Sequence, residues 1–266
     1  MRVIITGGSR GIGAAIARTF AKKHGSDAII SVIGRSLTRP SHSSLKGTLL
    51  DTVRDVEELG GCGLSFQADM KCADEVTTAV RSAIHSMGGV DVLINNASVL
   101  YLSRVTPAKR ADLMYQVNTR ATLLATQASR KALSQSDVGS VVTLSPPIRT
   151  GQLGWISDHP AYTISKYSMT LAALGAASDS VRSNCIWPRY TVATSATRRL
   201  EVEMGVEGAF SRGRCALEFA DAVHALAVSE NHNACTLFDD EVMPMTQCNA
   251  PLDLFATEAV SQLRHD

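Results

Sequence analysis

The sequence lacks the features that mark several large classes of protein. Its six cysteines include no C-x-x-C pair, a pattern that favours reduced, packed thiols over a metal centre or a disulfide framework. Lys and Arg number 26 and Asp and Glu 25, so no excess of one charge is available to bind nucleic acid or an anionic membrane. No apolar run approaches the ~18 residues that a membrane span requires. We therefore expect no metal site, no nucleic-acid partner and no membrane span.

Little sequence precedes the first apolar segment, Val3-Ile4-Ile5, which leaves no room for a signal or transit peptide. We therefore expect an intracellular, cytoplasmic protein. The 266 residues are 45% hydrophobic and 19% charged, which is typical of a globular protein with a large core. The sequence shows neither internal repeats nor a linker between two units. Residues 1–266 are therefore predicted to form a single domain.

Short apolar runs alternate with longer segments of helical period, the pattern of strands and helices around a parallel sheet. Strands are predicted over residues 2–6, 28–33, 64–68, 90–94, 140–144 and 181–186, and a seventh begins at 236–238. Helices are predicted over residues 49–59, 74–87, 108–133 and 162–177, and a Ser-rich inserted loop over 37–46. The fold class expected is α/β, a doubly wound, three-layer Rossmann-type fold with a parallel sheet of about seven strands.

A glycine-rich turn, Thr6-Gly7-Gly8-Ser9-Arg10-Gly11-Ile12-Gly13, follows the first predicted strand and opens the first helix. Glycine is common in loops of every kind, so the position at this junction is what makes the turn informative. There it permits a tight turn, lets backbone N–H groups approach a pyrophosphate and allows close helix–strand packing. The free N–H groups of the helix N-terminus would then bind the phosphates. The expected cofactor contacts are Gly7, Ser9, Arg10, Gly11, Ile12 and Gly13.

The end of the second predicted strand indicates which dinucleotide is preferred. Enzymes that use NAD usually place a carboxylate there for the ribose 2′-OH, whereas this chain has Arg35 followed by Ser36. Arg10 lies nearby in the turn, and no Asp or Glu occurs from Gly34 to Leu50. Guanidinium groups suit a 2′-phosphate, which favours NADP(H) over NAD(H). The alternative is that both arginines are solvated surface charges.

Tyr162 and Lys166 are four residues apart on a predicted helix, which places them on one face. An ammonium group near a phenol favours the phenolate and lowers the pKa of the tyrosine from ~10. Such a pair could protonate a carbonyl oxygen or deprotonate an alcohol. It could also be an ordinary helix pair, because the spacing is common by chance.

Four motifs occur in an order that resembles the short-chain dehydrogenase/reductase family over essentially the whole chain. They are the turn at Thr6 to Gly13, Asn95-Asn96-Ala97, Asn118, and Tyr162-x-x-x-Lys166. Further segments look like the hydroxysteroid-dehydrogenase-like branch: Leu144-Ser145-Pro146-Pro147, Ala161-Tyr162-Thr163, Trp187-Pro188-Arg189 and Asp239-Asp240-Glu241-Val242. Some members of that branch carry a C-terminal sterol-carrier-like domain, which we expect this chain to lack.

The resemblance implies a role for each matching residue. Tyr162 would be the acid/base, Lys166 would tune it and hold the nicotinamide ribose, and Asn118 would support a water-mediated proton relay. Ser145 is the candidate for hydrogen bonding to the substrate oxygen. Beyond the glycine turn, the implied cofactor contacts are Arg35, Ser36, Asp69, Met70, Asn95, Asn96, Ala97, Tyr162, Lys166, Pro188, Val192 and Thr194.

Three departures from the family pattern leave questions open. Ser145 precedes Tyr162 by 17 residues (162 − 145), farther than the family usually has it, and direct matching of the strands puts Pro146 in its place. Either a longer loop lets Ser145 serve, or another donor does, or Ser145 merely ends the strand. Ser98 replaces a usual glycine and could crowd the cofactor or contact substrate. Arg189 replaces a second usual glycine, so the alignment of the following segment with the family pattern is uncertain by one residue.

The function expected is interconversion of a carbonyl compound and its alcohol with NADP(H), by a homodimer or homotetramer. The substrate is expected to be lipophilic, because Trp155, Ile156 and Trp187 could wall an apolar pocket, although they could equally be core residues. The alternative is a non-catalytic NADP-binding sensor or structural protein that keeps the fold. Intact Tyr162 and Lys166 argue against that alternative.

Overall fold

The computed structural model describes residues 1–40, 45–148, 153–204 and 213–244. Seven parallel strands form one sheet in the order β3-β2-β1-β4-β5-β6-β7. The strands are β1 (Arg2–Thr6), β2 (Ile29–Gly34), β3 (Cys62–Gln67), β4 (Val92–Asn95), β5 (Ser140–Leu144), β6 (Arg182–Trp187) and β7 (Thr236–Phe238). The helices are α1 (Gly11–His24), α2 (Leu49–Glu58), α3 (Ala73–Met87), α4 (Ala108–Met114), α5 (Ala121–Leu133), α6 (Leu153–Asp158), α7 (Pro160–Ala176), α8 (Ser195–Met204), α9 (Ala216–Val228) and α10 (Asp239–Val242).

Helices cover both faces of the sheet. On one face α1 packs against α2 and α9, with Phe20 and Phe219 in the shared apolar core. On the other face α5 packs between α3 and α7, around residues such as Val80 and Leu133. The inner strands β2, β4 and β5 are buried on both sides, as expected of a parallel sheet between two helix layers. The predicted three-layer, doubly wound fold is confirmed. One domain over 1–266 stays a prediction.

Helices α6, α8, α9 and α10 were not predicted. A further difference lies in the long helix predicted over residues 108–133. It is divided into α4 and α5 by a π-helical turn at Tyr115–Arg120. The spacing of apolar residues could not reveal this π-helical turn, because a single turn with i→i+5 hydrogen bonds is too short to be distinguished from the surrounding α-helix. The observed strand ends lie within two residues of the predicted ones. For example, β2 continues through Gly34, which pairs with Gln67 of β3.

The strand order fixes where a ligand site can lie. Chain order reverses at β1, which has β2 on one side and β4 on the other. Loops from the carboxyl ends of β1 and β4 diverge there and leave a crevice, the usual ligand position in such folds. Within the described ranges no helix is long and apolar enough to cross a bilayer. The same ranges hold no group of three or more His, Cys, Asp or Glu residues arranged to bind a metal.

Candidate functional site

The turn between β1 and α1 packs closely against the turn that follows β4. Gly7 has a left-handed φ of +70°, and a Cβ added to it would lie 2.8 Å from the Cα of Ala97. A Cβ added to Gly13 would collide with the carbonyl oxygen of Gly7. Larger residues would therefore push the turns apart, so glycine is required at both positions.

Thr6 and Asn96 connect these two turns by hydrogen bonds. The Thr6 hydroxyl oxygen accepts from the backbone N–H groups of Asn96 and Ala97, both at 3.1 Å. In return, the Asn96 side-chain amide donates to the carbonyl oxygens of Thr6 at 2.9 Å and Gly7 at 3.1 Å. The bonds hold the glycine turn and the β4 turn as one unit at the crevice.

A cleft opens above this unit, and most of the predicted cofactor residues line it. Those residues are Gly7, Ser9, Arg10, Gly11, Ile12, Gly13, Arg35, Ser36, Asp69, Met70, Asn96, Ala97 and Thr194. The lining also includes residues that the sequence did not single out for the cofactor: Gly34, Ser98, Val99, Leu113, Val117, Ser195 and Ala196.

Five predicted cofactor residues are not among the described lining residues: Asn95, Tyr162, Lys166, Pro188 and Val192. Asn95 is buried, and its amide donates to the hydroxyl groups of Thr126 at 3.0 Å and Thr143 at 3.3 Å. The Asn95 side chain thus connects β4 to α5 and β5 inside the protein, and a cofactor contact by Asn95 stays a prediction. Pro188 and Val192 are also buried beside the cleft.

Two arginines share one wall of the cleft. Burial lowers the pKa of Arg10, and the nearby positive charge of Arg35 lowers it further. Gly47 fixes the backbone beside them, because a Cβ there would stand 2.7 Å from the carbonyl oxygen of Ser9. Two like charges held together in this way favour the presence of an anion between them.

Tyr162 and Lys166 lie together on α7, next to the cleft but outside its described lining. Tyr162 is 7% exposed and forms a buried cluster with Met114. Val99 packs against this cluster and also lines the cleft. The Lys166 ammonium group donates to the carbonyl oxygen of Leu144 at 2.6 Å. It also lies 4.9 Å from the centre of the Trp187 ring. Both side chains are thus buried where β5 and β6 end.

Asn118 lies in the π-helical turn and connects three segments around the cleft. Its amide oxygen accepts from the backbone N–H of Val99 at 2.8 Å and from the Ser98 hydroxyl at 3.2 Å. Its amide nitrogen donates to the carbonyl oxygen of Val99 at 3.0 Å and to the Ser165 hydroxyl at 2.9 Å. The exposed Ser98 hydroxyl therefore reaches the cleft while bonded to Asn118.

Ser145 does not face the cleft. It is fully buried, and its hydroxyl lies near the Cys185 thiol without a hydrogen bond of ordinary geometry. Burial raises the pKa of that thiol to about 11, an effect partly opposed by Ser145, Thr170 and the Lys166 charge. The assignment of Ser145 to the substrate oxygen stays a prediction, and this orientation does not favour it.

Sequence reasoning missed several residues that hold the site together. The Thr52 hydroxyl of α2 donates to the carbonyl oxygen of Gly8 at 2.8 Å and so supports the glycine turn. Ser165 lies within the Tyr-x-x-x-Lys motif, and its position three residues after Tyr162 was the available signal. The backbone of Arg214 forms an isolated parallel β-bridge with that of Val192 behind the cleft. No local pattern indicated that last contact.

Comparison with known proteins places this architecture in a family. The family model described as short chain dehydrogenase matches residues 1–204. Hydroxysteroid dehydrogenase-like protein 2 from Mus musculus is 38% identical over 229 residues, which are 84% of this chain and 45% of that protein. Its counterpart from Xenopus tropicalis is 32% identical over 96% of this chain and 60% of its own length. The chain therefore spans about half the length of these relatives.

Comparison with solved structures supports the same family. A short chain dehydrogenase from Mycobacterium thermoresistibile superposes with a TM-score of 0.81 at 32% identity, covering 96% of this chain and 94% of that one. A Xanthomonas campestris structure described as a dehydrogenase gives a TM-score of 0.81 at 36% identity, covering 90% and 87%. The sequence-based resemblance is confirmed. The chain belongs to the short-chain dehydrogenase/reductase family, in its hydroxysteroid-dehydrogenase-like branch.

Proposed function

We propose that the protein interconverts a lipophilic ketone or aldehyde and the corresponding alcohol, with NADP(H) as the hydride carrier. The observation that carries this proposal is the position of Val99 between the cleft and the buried cluster that contains Tyr162. Val99 lines the cleft formed by the glycine turn, and it also packs against the buried cluster that Tyr162 forms with Met114. A ligand along the cleft would therefore end beside a phenol that can exchange a proton.

The residues present fit a phosphorylated dinucleotide. The tight approach at Gly7 and Gly13 leaves backbone N–H groups and the N-terminus of α1 open to a pyrophosphate. Arg10 and Arg35 form a paired positive wall suited to a 2′-phosphate. The same fold in L-sorbose reductase from Gluconobacter frateurii, 20% identical with a TM-score of 0.73, was solved with NADPH and L-sorbose.

The proton chemistry is assigned to Tyr162, because its hydroxyl would protonate the carbonyl oxygen in reduction and accept that proton in oxidation. NADP(H), when bound, supplies or accepts the hydride. Lys166 contributes a positive charge that favours the phenolate, and the carbonyl oxygen of Leu144 orients its ammonium group. Asn118 holds the turn after β4 against α7, through its hydrogen bonds to Val99 and Ser165.

An apolar substrate is favoured by the side chains around Tyr162. Tyr101, Leu102, Tyr167 and Trp187 are partly buried there and offer aromatic and aliphatic surface. Such surface binds ligands mainly by removing apolar area from water. Ile156 is also partly buried, on α6, whereas the Trp155 side chain lies outside the described residues.

We also propose that the protein is a homo-oligomer that pairs through α5 and α7. Ile164 is 66% exposed and Leu171 60%, and these residues lie two turns apart on one face of α7. Leu123 on the adjacent α5 is also exposed. Apolar side chains on neighbouring helices are typical of a surface that a second subunit covers.

The test begins with titration of NADPH and NADH into the protein, followed by loss of NADPH absorbance with a panel of aldehydes, ketones and sterols. Tyr162→Phe removes the proton donor while keeping the ring. We expect it to reduce turnover by about 10²- to 10⁴-fold, the usual contribution of a positioned acid/base, with little change in NADPH affinity. Undiminished turnover in this variant would remove Tyr162 from the mechanism.

A non-catalytic NADP sensor is the second candidate function, and the burial of Ser145 favours it. If NADPH binds tightly but no carbonyl compound or alcohol of the panel turns over, the sensor is supported and the enzyme proposal is not. Turnover that depends on Tyr162 supports the enzyme. Matched far-UV circular dichroism spectra of the wild type and Tyr162→Phe provide the folding control.

A further inference from the structure

A buried ion pair lies behind the cleft, between the segment after β6 and the end of β7. The Nε atom of Arg214 is 2.9 Å from the Oδ2 atom of Asp239, and the two residues are 2% and 0% exposed. The N–H group is not directed along that line, so the contact is an ion pair rather than a well-aligned hydrogen bond. Burial of two charges often costs as much free energy as their attraction returns. Stability alone is therefore a weak explanation for this pair.

Asp239 also holds the segment that follows β6. Its Oδ1 atom accepts from the backbone N–H of Arg189 at 2.9 Å. The Arg189 side chain donates to Asp240 at 2.6 Å and lies 4.0 Å from the ring centre of Phe238. Arg189 stands where the family usually has glycine, and in this chain it fastens the segment to the acidic residues after β7.

The backbone of Arg214 holds the next residues of the same segment. Its N–H donates to the carbonyl oxygen of Thr191 at 2.8 Å, and its carbonyl oxygen accepts from the N–H of Ala193 at 3.0 Å. These two bonds enclose Val192. Both ends of residues 189–193 are thus attached to the ion pair, one through Asp239 and the other through Arg214.

The next residue forms a wall of the cleft. Thr194 faces the glycine turn, because a Cβ added to Gly11 would lie 3.5 Å from its Cγ2 atom. Thr194, Ser195 and Ala196 all line the cleft. The Thr197 hydroxyl accepts from the Thr194 N–H at 2.8 Å and so fixes the first turn of α8. Movement of residues 189–193 would therefore move this wall relative to the glycine turn.

We propose that Arg214 and Asp239 are a positioning pair, which holds residues 189–193 so that Thr194 closes the cleft over the cofactor. This inference rests on the proposed function, since it assigns the cleft to NADP(H). Neither residue is among the described lining of the cleft. Both act through the backbone of the intervening segment.

The test compares Asp239→Asn and Arg214→Gln with the wild type in two measurements. Without cofactor, hydrogen–deuterium exchange should become faster at the amides of Ala193 and Arg214, which the paired arrangement now protects. With cofactor, the dissociation constant for NADPH should rise by about tenfold or more, as expected when a binding wall is no longer preorganised. Arg214→Lys keeps the charge and should restore part of the affinity.

Asp91→Asn is the matched control. Asp91 pairs with Arg2 at 2.6 Å at the opposite end of the sheet, away from the cleft. Loss of that pair should lower the melting temperature without changing the NADPH dissociation constant. If Asp239→Asn also lowers only the melting temperature, with unchanged exchange at Ala193 and unchanged NADPH affinity, the positioning role is overturned.

Arg189→Gln provides a milder variant, in case the buried substitutions prevent folding. It removes the partly exposed bonds to Asp240 and Glu241 and the contact with the Phe238 ring, and we expect a rise of about threefold in the NADPH dissociation constant. An unchanged constant in this variant contradicts the proposal. Failure of the wild type to bind NADPH at all contradicts the proposed function instead, and faster exchange at Ala193 would still test the backbone effect.

Discussion

Two residues, Arg10 and Arg35, concentrate positive charge on one wall of the cleft. Burial desolvates Arg10 and lowers its pKa, and the adjacent positive charge of Arg35 lowers it further. An anion held between them relieves both effects. A 2′-phosphate supplies two negative charges at that point, whereas a 2′-hydroxyl supplies none. We therefore expect selection between the two dinucleotides to depend on these two side chains.

Arg35→Asp should reverse this preference. The substitution removes one charge-assisted contact to the phosphate and adds repulsion, so the dissociation constant for NADPH should rise by about 10- to 100-fold. The constant for NADH should stay the same or fall. The measurement is titration of both cofactors by protein fluorescence. Arg54→Asp makes the same charge change at an exposed site on α2, beside Asp51 and Glu58, and should leave both constants unchanged. An unaltered ratio of the two constants in Arg35→Asp would contradict this role.

At the scale of elements, α1 and α9 are joined by a histidine pair. The Nε2 atoms of His24 and His224 are 3.0 Å apart, and both rings pack against Phe20. Burial, followed by the nearby charge of His24, lowers the pKa of His224 to about 4. Protons therefore bind more readily to the unfolded chain, where histidine titrates near 6.5. The stabilisation is present above pH 6.5 and is lost as the pH falls toward 4.

His224→Gln should flatten the pH dependence of folding. Between pH 6.5 and 4 the wild type should lose on the order of 1 kcal/mol through this group, a value reduced to allow for its partial exposure. The variant should lose less over the same interval. Urea unfolding at several pH values measures the difference, and His85→Gln, at an exposed position on α3, provides the control. Parallel pH profiles for the wild type and His224→Gln would show that the pair does not contribute.

Elements were more predictable than the directions of side chains within the site. The strands could be predicted because each is a short apolar run between turns, and the glycine turn because it joins the first strand to the first helix. The inward orientation of Ser145 could not be predicted from the sequence, because it depends on how β5 packs against β6. The Arg214–Asp239 pair could not be predicted either, because its two residues are 25 positions apart (239 − 214) and neither belongs to a periodic pattern.

At the scale of the whole molecule, the exposed apolar face of α7 predicts self-association. Leu171→Glu should place a charge in the proposed interface and shift the molecular mass toward that of a monomer, because an unpaired charge there is costly to bury. Size-exclusion chromatography with light scattering measures the mass. Val105→Glu changes a residue that is 83% exposed in the loop before α4, and should leave the mass unchanged. A wild-type mass equal to that of one chain would contradict the oligomer.

The walls of the cleft come from widely separated parts of the chain. Gly7 is on the first turn, Ala97 follows the fourth strand, and Ala196 begins α8. A growing polypeptide on the ribosome therefore acquires its binding crevice only when the last wall, at Ala196, has emerged and docked. A dinucleotide that requires all these walls would bind no shorter intermediate. Its binding energy would then stabilise only the completed chain, and cofactor supply would influence how much newly made protein survives.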